Sequence, residues 1–441
     1  MNSTSSFPGP LSAALIDELA RYVVVQVKPF VIDLAACDGM WLATVDGQRL
    51  FDWAGYYASK LIGHNHPGLR EPAYLERLAL AANNKVANPD FLTRECLAFY
   101  RTVHRLAPRC MRNPRLEVYA VNSGAEAVEN MMKYFINLHR QRRGGADRPD
   151  RPLRFIYFTQ AFHGRTVYAL NVTQTLDPVA TKDFHGLIPG NIQVPFPAID
   201  ADAPEGENRL RTDESLEIVR SMLEQYAGEV AGIIVEPIQG AGGHRLAEPV
   251  FFRRLSELAH EHGVFLGFDE VQTAGGPTGE LFAVDQIALP HPPQAVATAK
   301  KFGVGVIFML HPMDDIGVLD STWGGGLVDM VRFVQEIGIV EREGLIERAR
   351  ATGAALAAAL DSLALSHPGR LGNRRGMGLY QGFDLPDAAA REALIRTALQ
   401  QESLLLLGAG DRSIRLRPNL SVTEEDVTLL GEMLDRCLRT M

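Results

Sequence analysis

Cysteine is scarce in this chain: four residues in 441, at Cys37, Cys96, Cys110 and Cys437, with no Cys-x-x-Cys spacing. That excludes a disulfide framework and a cysteine-built zinc site, and it fits reduced thiols in a cytoplasmic protein. Histidine supplies no metal site either. His64, His66 and His163 lack ligand spacing with nearby acids and read as structural or solvent-facing. Positive charge is short, with 44 Lys and Arg against 53 Asp and Glu and a formal charge of −9, so neither nucleic acid nor an acidic membrane is expected as a partner. Any anion site must be local, built from helix N-termini and a few arginines. Long apolar runs are missing too. Val304 to Leu310 is among the longest, far too short to span a bilayer. Met1 to Pro10 is polar and lacks the basic region and apolar core of a secretory signal.

What is present is an ordinary globular composition, 46% hydrophobic and 22% charged. The length exceeds what one core organises, so two or three domains are expected. The boundaries drawn are 1–70 as an N-terminal segment joining a small domain, 71–330 as a large domain and 331–441 as the remainder of the small one. Between Pro114 and Gly305, apolar runs alternate with helical stretches. The expected strands are Leu116–Val121, Arg154–Thr159, Ile192–Val194, Gly232–Glu236, Val264–Asp269, Ala295–Ala299 and Gly305–Leu310. Helices are expected over Glu126–Arg143, Thr212–Tyr226 and Val250–His262. Strands apolar throughout imply an α/β fold whose mostly parallel seven-stranded sheet is covered on both faces, with ligands gathered at strand C-terminal ends. Gly144 to Arg154 and Ala198 to Asn208 read as surface insertions. The C-terminal third alternates strands (Leu379–Phe383, Ile414–Arg417) with helices (Ala388–Glu402, Thr423–Arg439), a smaller α+β unit.

Residues able to carry chemistry recur at those strand ends. Val264 to Thr273 reads as a buried strand delivering Asp269 and Gln272 to one edge, and Lys300 stands at the end of the next strand. An acid and an amine in one apolar pocket suit pyridoxal phosphate, which needs its ring nitrogen protonated and its aldehyde bound as an imine. A helix cap or an ion pair is the alternative for Asp269 alone. Asn122-Ser123-Gly124-Ala125-Glu126 opens a helix after a strand; its free amides attract a phosphate, unless Ser123 is only a cap. Phe162 is placed to stack on a flat ring and Arg165 to clamp a carboxylate, a buried Phe beside a surface Arg being the plain alternative. Glu236-Pro237-Ile238-Gln239-Gly240 closes a third strand at the same edge. Ser321-Thr322-Trp323-Gly324-Gly325 offers a hydroxyl on flexible backbone, or simply a glycine turn. Arg415 and Arg417 alternate on a strand and share a face, either toward a substrate carboxylate or as paired surface charges.

With these motifs in this order, from about Leu50 to Pro418, the chain resembles the class III (ω-) aminotransferases, and within them the lysine 6-aminotransferase group. Asn84-Lys85-Val86-Ala87-Asn88-Pro89-Asp90, Gly164-Arg165-Thr166, Lys300-Lys301 and Ser321-Thr322-Trp323-Gly324-Gly325 carry the narrower likeness. The resemblance implies the type I pyridoxal phosphate fold and a homodimer with shared active sites. It implies ping-pong transfer from a terminal amine, such as the ε-amine of lysine, to a 2-oxo acid such as 2-oxoglutarate. Other chemistry on the same fold (a mutase, racemase or decarboxylase) and a binding protein without turnover are the alternatives. By resemblance, Asp269 faces the pyridine nitrogen, Gln272 the ring hydroxyl and Phe162 the ring plane. Ser123, Gly124 and Ala125 hold the phosphate, with Glu236 in the same cofactor site. Thr322 reaches the neighbouring subunit's phosphate, and Arg165 and Arg415 bind carboxylates. The adjacent Lys300 and Lys301 are not told apart by composition; the family's spacing, seven residues on from Pro293, selects Lys300 as the imine lysine. One departure bears on substrate: where members usually carry Glu after Gln-Gly, this chain has Ala241, which leaves Arg415 without that acid.

Overall fold

The computed structural model describes residues 7–24, 27–142, 152–174, 181, 183–184, 187–315 and 317–441. The expected insertion Gly144–Arg154 lies outside them up to residue 151, and Arg154 itself opens a strand.

Seven strands form the central sheet: β1 (Glu117–Val121), β2 (Arg154–Phe158), β3 (Ile192–Val194), β4 (Val230–Val235), β5 (Phe265–Asp269), β6 (Ala295–Thr298) and β7 (Gly305–Met309). Their order is β1-β7-β6-β5-β4-β2-β3, with only β7 antiparallel to its neighbours. β4 through β7 are buried at every residue, which is why they read as unbroken apolar runs rather than as an alternation. The helix Gly124–Arg142 lies against one face. Its Phe135 ring packs so closely over Gly232 and Gly267 that a Cβ at either glycine would fall within 3.0 Å of the ring. Glycine at those strand positions is what lets helix and sheet meet.

The smaller sheet comprises β8 (Gly372–Met377), β9 (Tyr380–Asp384), β10 (Leu407–Ala409) and β11 (Ser413–Leu416), ordered β8-β9-β11-β10 and antiparallel throughout. The N-terminal stretch joins this part of the molecule. Strand Arg49–Asp52 pairs in parallel with Leu404–Leu405, with Phe51 opposite Leu404. The backbone then runs from Trp53 to a hydrogen bond between its carbonyl and the Arg417 amide, 2.9 Å. The two ends of the chain are thus woven together beside the large sheet. Among the described residues no helix is long and apolar enough to cross a membrane.

Candidate active site

A cavity of about 310 Å³ opens where β1, β2, β4, β5 and β6 end and β7 begins. Ser123, Gly124, Ala125, Phe162, Arg165, Glu236, Asp269, Gln272 and Lys300 all line it, so nine of the residues singled out from sequence converge on one space. A wider cleft of about 710 Å³ adjoins it, shares Phe162, Arg165, Gln272 and Lys300, and adds Arg415 and Arg417. Thr322 stands apart, exposed on its turn and lining neither cavity.

At one end, Ser123 caps the helix Gly124–Arg142 by accepting from the Glu126 amide at 3.2 Å. The Glu126 carboxylate in turn accepts from the Asn122 amide at 3.0 Å. The cap reading is therefore realised, and it leaves the first helical amides free. Gly124 N and Ala125 N have no acceptor among the described residues and open onto the cavity, where a phosphate would satisfy them. At the other end, Asp269 is buried and both its oxygens accept. His163 Nδ1 lies 2.7 Å from Oδ2, and the Val271 amide donates to Oδ1 at 2.9 Å. With a carboxylate as partner, Nδ1 carries the proton.

Glu236 lies just beyond β4, fully buried, and accepts from the Phe162 amide at 3.0 Å. Burial first, and the negative Asp269 second, push its carboxyl well above the usual range. Lys300 follows β6 in a tight turn with φ +45°, a left-handed conformation that costs a non-glycine residue about 1–2 kcal/mol. Burial lowers its amine to about 8, and the charge of Arg417 acts in the same direction while Asp269 and Glu236 oppose it.

Of the two readings of His163, structural or solvent-facing, the fold gives the structural one: it is buried and meets Asp269 across 106 positions. Arg415 and Arg417 are not paired surface charges. Arg417 is 1% exposed, and its Nη1 donates to Gln272 Oε1 at 2.7 Å. Arg415 Nη1 donates to the Gly240 carbonyl at 2.9 Å, and among the described residues no acidic side chain pairs with it. Tyr57 enters the wider cleft from a left-handed turn in which Tyr56 and Tyr57 have φ of 48° and 58°. No Asn or Asp marks that turn; only Gly55 could have signalled it.

The family model for class III aminotransferases matches residues 22–438. The chain is 32% identical over 422 residues to the L-lysine-epsilon aminotransferase of Streptomyces clavuligerus, covering 93% of this chain and 90% of that protein. It is 29% identical to a probable mitochondrial 4-aminobutyrate aminotransferase of Caenorhabditis elegans, covering 99% and 93%. Among solved structures, the lysine aminotransferase of Mycobacterium tuberculosis superposes with a TM-score of 0.89 at 32% identity, over 97% of this chain and 98% of that one. The fold is that of the type I pyridoxal phosphate enzymes. This chain belongs to the class III aminotransferases and is a pyridoxal phosphate-dependent transaminase.

Proposed function

We propose that this enzyme moves a terminal amino group, such as the ε-amine of lysine, to a 2-oxo acid such as 2-oxoglutarate by a ping-pong cycle. The observation that carries the reading is the shared cavity: one amine, Lys300, and one buried acid, Asp269, line the same space as a helix N-terminus with free amides. The names of the relatives point to the terminal amine.

The residues present fit the cofactor. Ser123 and the amides of Gly124 and Ala125 would hold its phosphate, Phe162 would cover the ring, and Gln272 and Asp269 would face the ring hydroxyl and nitrogen. Bound there, pyridoxal phosphate supplies the carbonyl that receives the amino group and the ring that withdraws electrons from the reacting carbon. Lys300 Nζ would be the covalent anchor and, once released, the base that takes the proton from the substrate carbon and gives it to the carbon that held the cofactor's carbonyl. Asp269, oriented by His163, would hold negative charge against the ring nitrogen. Burial pushes the Glu236 carboxyl well above the usual range, which disfavours a second negative charge beside it. Thr322, exposed and outside both cavities, suits a contact with a second subunit, and we assign the enzyme a homodimer that shares its sites.

A free amine is the reactive form of Lys300. With its pKa lowered to about 8, the uncharged fraction falls about tenfold per pH unit below that value and is nearly complete above it. The apo chain is therefore expected to take up pyridoxal phosphate faster as pH rises toward 8, with a plateau beyond. Stopped-flow absorbance reads this directly, and a rate that stays flat through that range contradicts it.

Ala241 gives Arg415 no acid, so a substrate carboxylate is its natural partner. Arg415→Met is expected to raise KM for the 2-oxo acid by about 100-fold with a smaller change in kcat. Steady-state kinetics with the acceptor varied check this.

The function as a whole is tested by presenting terminal amines, ω-amino acids and α-amino acids one at a time, without acceptor, and following the cofactor absorbance. Conversion by a terminal amine is the expected result. Conversion by α-amino acids alone overturns the terminal-amine assignment.

A further inference from the structure

We propose that Lys301 is a positioning residue of this site: its buried amine, together with the Tyr380 hydroxyl, fixes the backbone of Gln272 and through it the side-chain amide that lines the cofactor cavity. The proposal rests on the cofactor-site reading above and extends it to a residue that touches neither substrate nor cofactor.

Two successive lysines leave the same turn in different directions. Ala299 is extended (φ −164°), Lys300 is left-handed (φ +45°), and the chain turns again at Gly303. Lys300 lines both cavities; Lys301 lines neither and is 3% exposed. Lys301 Nζ donates to the Gln272 carbonyl at 2.8 Å and to Tyr380 Oη at 2.7 Å, and the Tyr380 hydroxyl donates to the same carbonyl at 2.9 Å. The phenol has one hydrogen, and the carbonyl takes it, so its oxygen is free to accept from Lys301. Two N–H groups of Lys301 are then engaged, which is the full complement of an uncharged amine. An ammonium would bring a third, for which the described residues provide no acceptor, and no carboxylate of those residues pairs with it. Burial, then the charges of Lys300 and Arg417, press its pKa well below the ordinary value, in agreement with that inventory.

A buried amine is costlier than an apolar side chain of equal volume unless its hydrogens are used. Here one goes to the Gln272 carbonyl, three residues beyond Asp269, and the other to the Tyr380 hydroxyl, which itself donates to that carbonyl. The other end of Gln272 is held as well: Arg417 Nη1 donates to its Oε1 at 2.7 Å. With the oxygen committed to Arg417, the amide nitrogen is the end left for a ligand. Tyr380 on β9 and Arg417 just past β11 both come from the small sheet. Gln272 is therefore a residue of the large sheet's edge whose position is set from the small one, and Lys301 is the tie that joins the two.

The test uses Lys301→Met, which keeps the stem and removes both N–H groups, and Tyr380→Phe, which removes only the hydroxyl. Three quantities are read for each: pyridoxal phosphate affinity of the apo chain, the pH midpoint of the cofactor absorbance in the holoenzyme, and kcat and KM. Expected for Lys301→Met is about tenfold weaker cofactor binding and a displaced absorbance midpoint. Tyr380→Phe is expected to move both in the same direction by less, and the double variant to fall short of the product of the two. A lowered Tm with affinity and absorbance midpoint both at wild-type values overturns the proposal. Should Lys301→Met not fold, Tyr380→Phe decides by the same two readouts. Wild-type protein that transaminates while both variants match it sinks only this inference; wild-type protein that does not transaminate sinks the functional reading.

Discussion

Lys300→Ala is expected to lose turnover by about 10⁴-fold or more and to lose the absorbance of covalently held cofactor. The size of the effect follows from what else could substitute. Among the described residues, the only other amine near the inner cavity is Lys301, and its nitrogen is committed to Gln272 and Tyr380 on the far side of the turn. Lys28 lines the wider cleft alone. Among the described residues no second free amine therefore stands where the proton of the substrate carbon must be taken up and passed on. Alanine leaves room for a small primary amine in solution, so added methylamine is expected to restore part of the turnover. Lys301→Met should keep the absorbance band at a displaced pH. Loss of the band in Lys301→Met with its retention in Lys300→Ala reverses the assignment.

Asp269→Asn is expected to lower kcat/KM by about 10²- to 10³-fold while changing cofactor affinity far less. The substitution conserves shape and the cavity keeps its volume, but of the Val271 amide and the His163 ring only one keeps an oxygen to face. What it removes is negative charge against the ring nitrogen, in a site where burial makes such a charge count for more than it does in water. The neighbouring Glu236 has its carboxyl pushed well above the usual range by burial, and its Oε1 is engaged by the Phe162 amide. Kinetics and the absorbance spectrum of the variant, measured together, separate the two effects. A drop below about tenfold in kcat/KM would place the electron-withdrawing role elsewhere.

Most of the inner cavity was legible in the sequence because each of its residues sits at the end of an apolar strand. Val235, Asp269 and Thr298 end strands whose burial at every position announces a parallel sheet, and ligand residues gather at that edge. For the adjacent pair the family's spacing points to Lys300, and of the two only Lys300 lines the cavity. What was not legible depends on contacts between distant parts of the chain. His163 meets Asp269 across 106 positions, Arg417 meets Gln272 across 145, and Tyr380 meets the same residue's carbonyl across 108. No local pattern encodes such pairings. The joining of both chain ends, with Phe51 opposite Leu404, is of the same kind. Ser123 shows a subtler case: cap and ligand site looked like alternatives in the sequence, and in the fold the cap is what leaves the neighbouring amides exposed.

The most direct measurement is to reduce the holoenzyme with borohydride, digest it and map the pyridoxyl-bearing peptide by mass spectrometry. The label is expected on Lys300, in the peptide that follows β6. A label on Lys301, or on any lysine outside this cavity, would contradict the pairing of that amine with Asp269 about one cofactor ring.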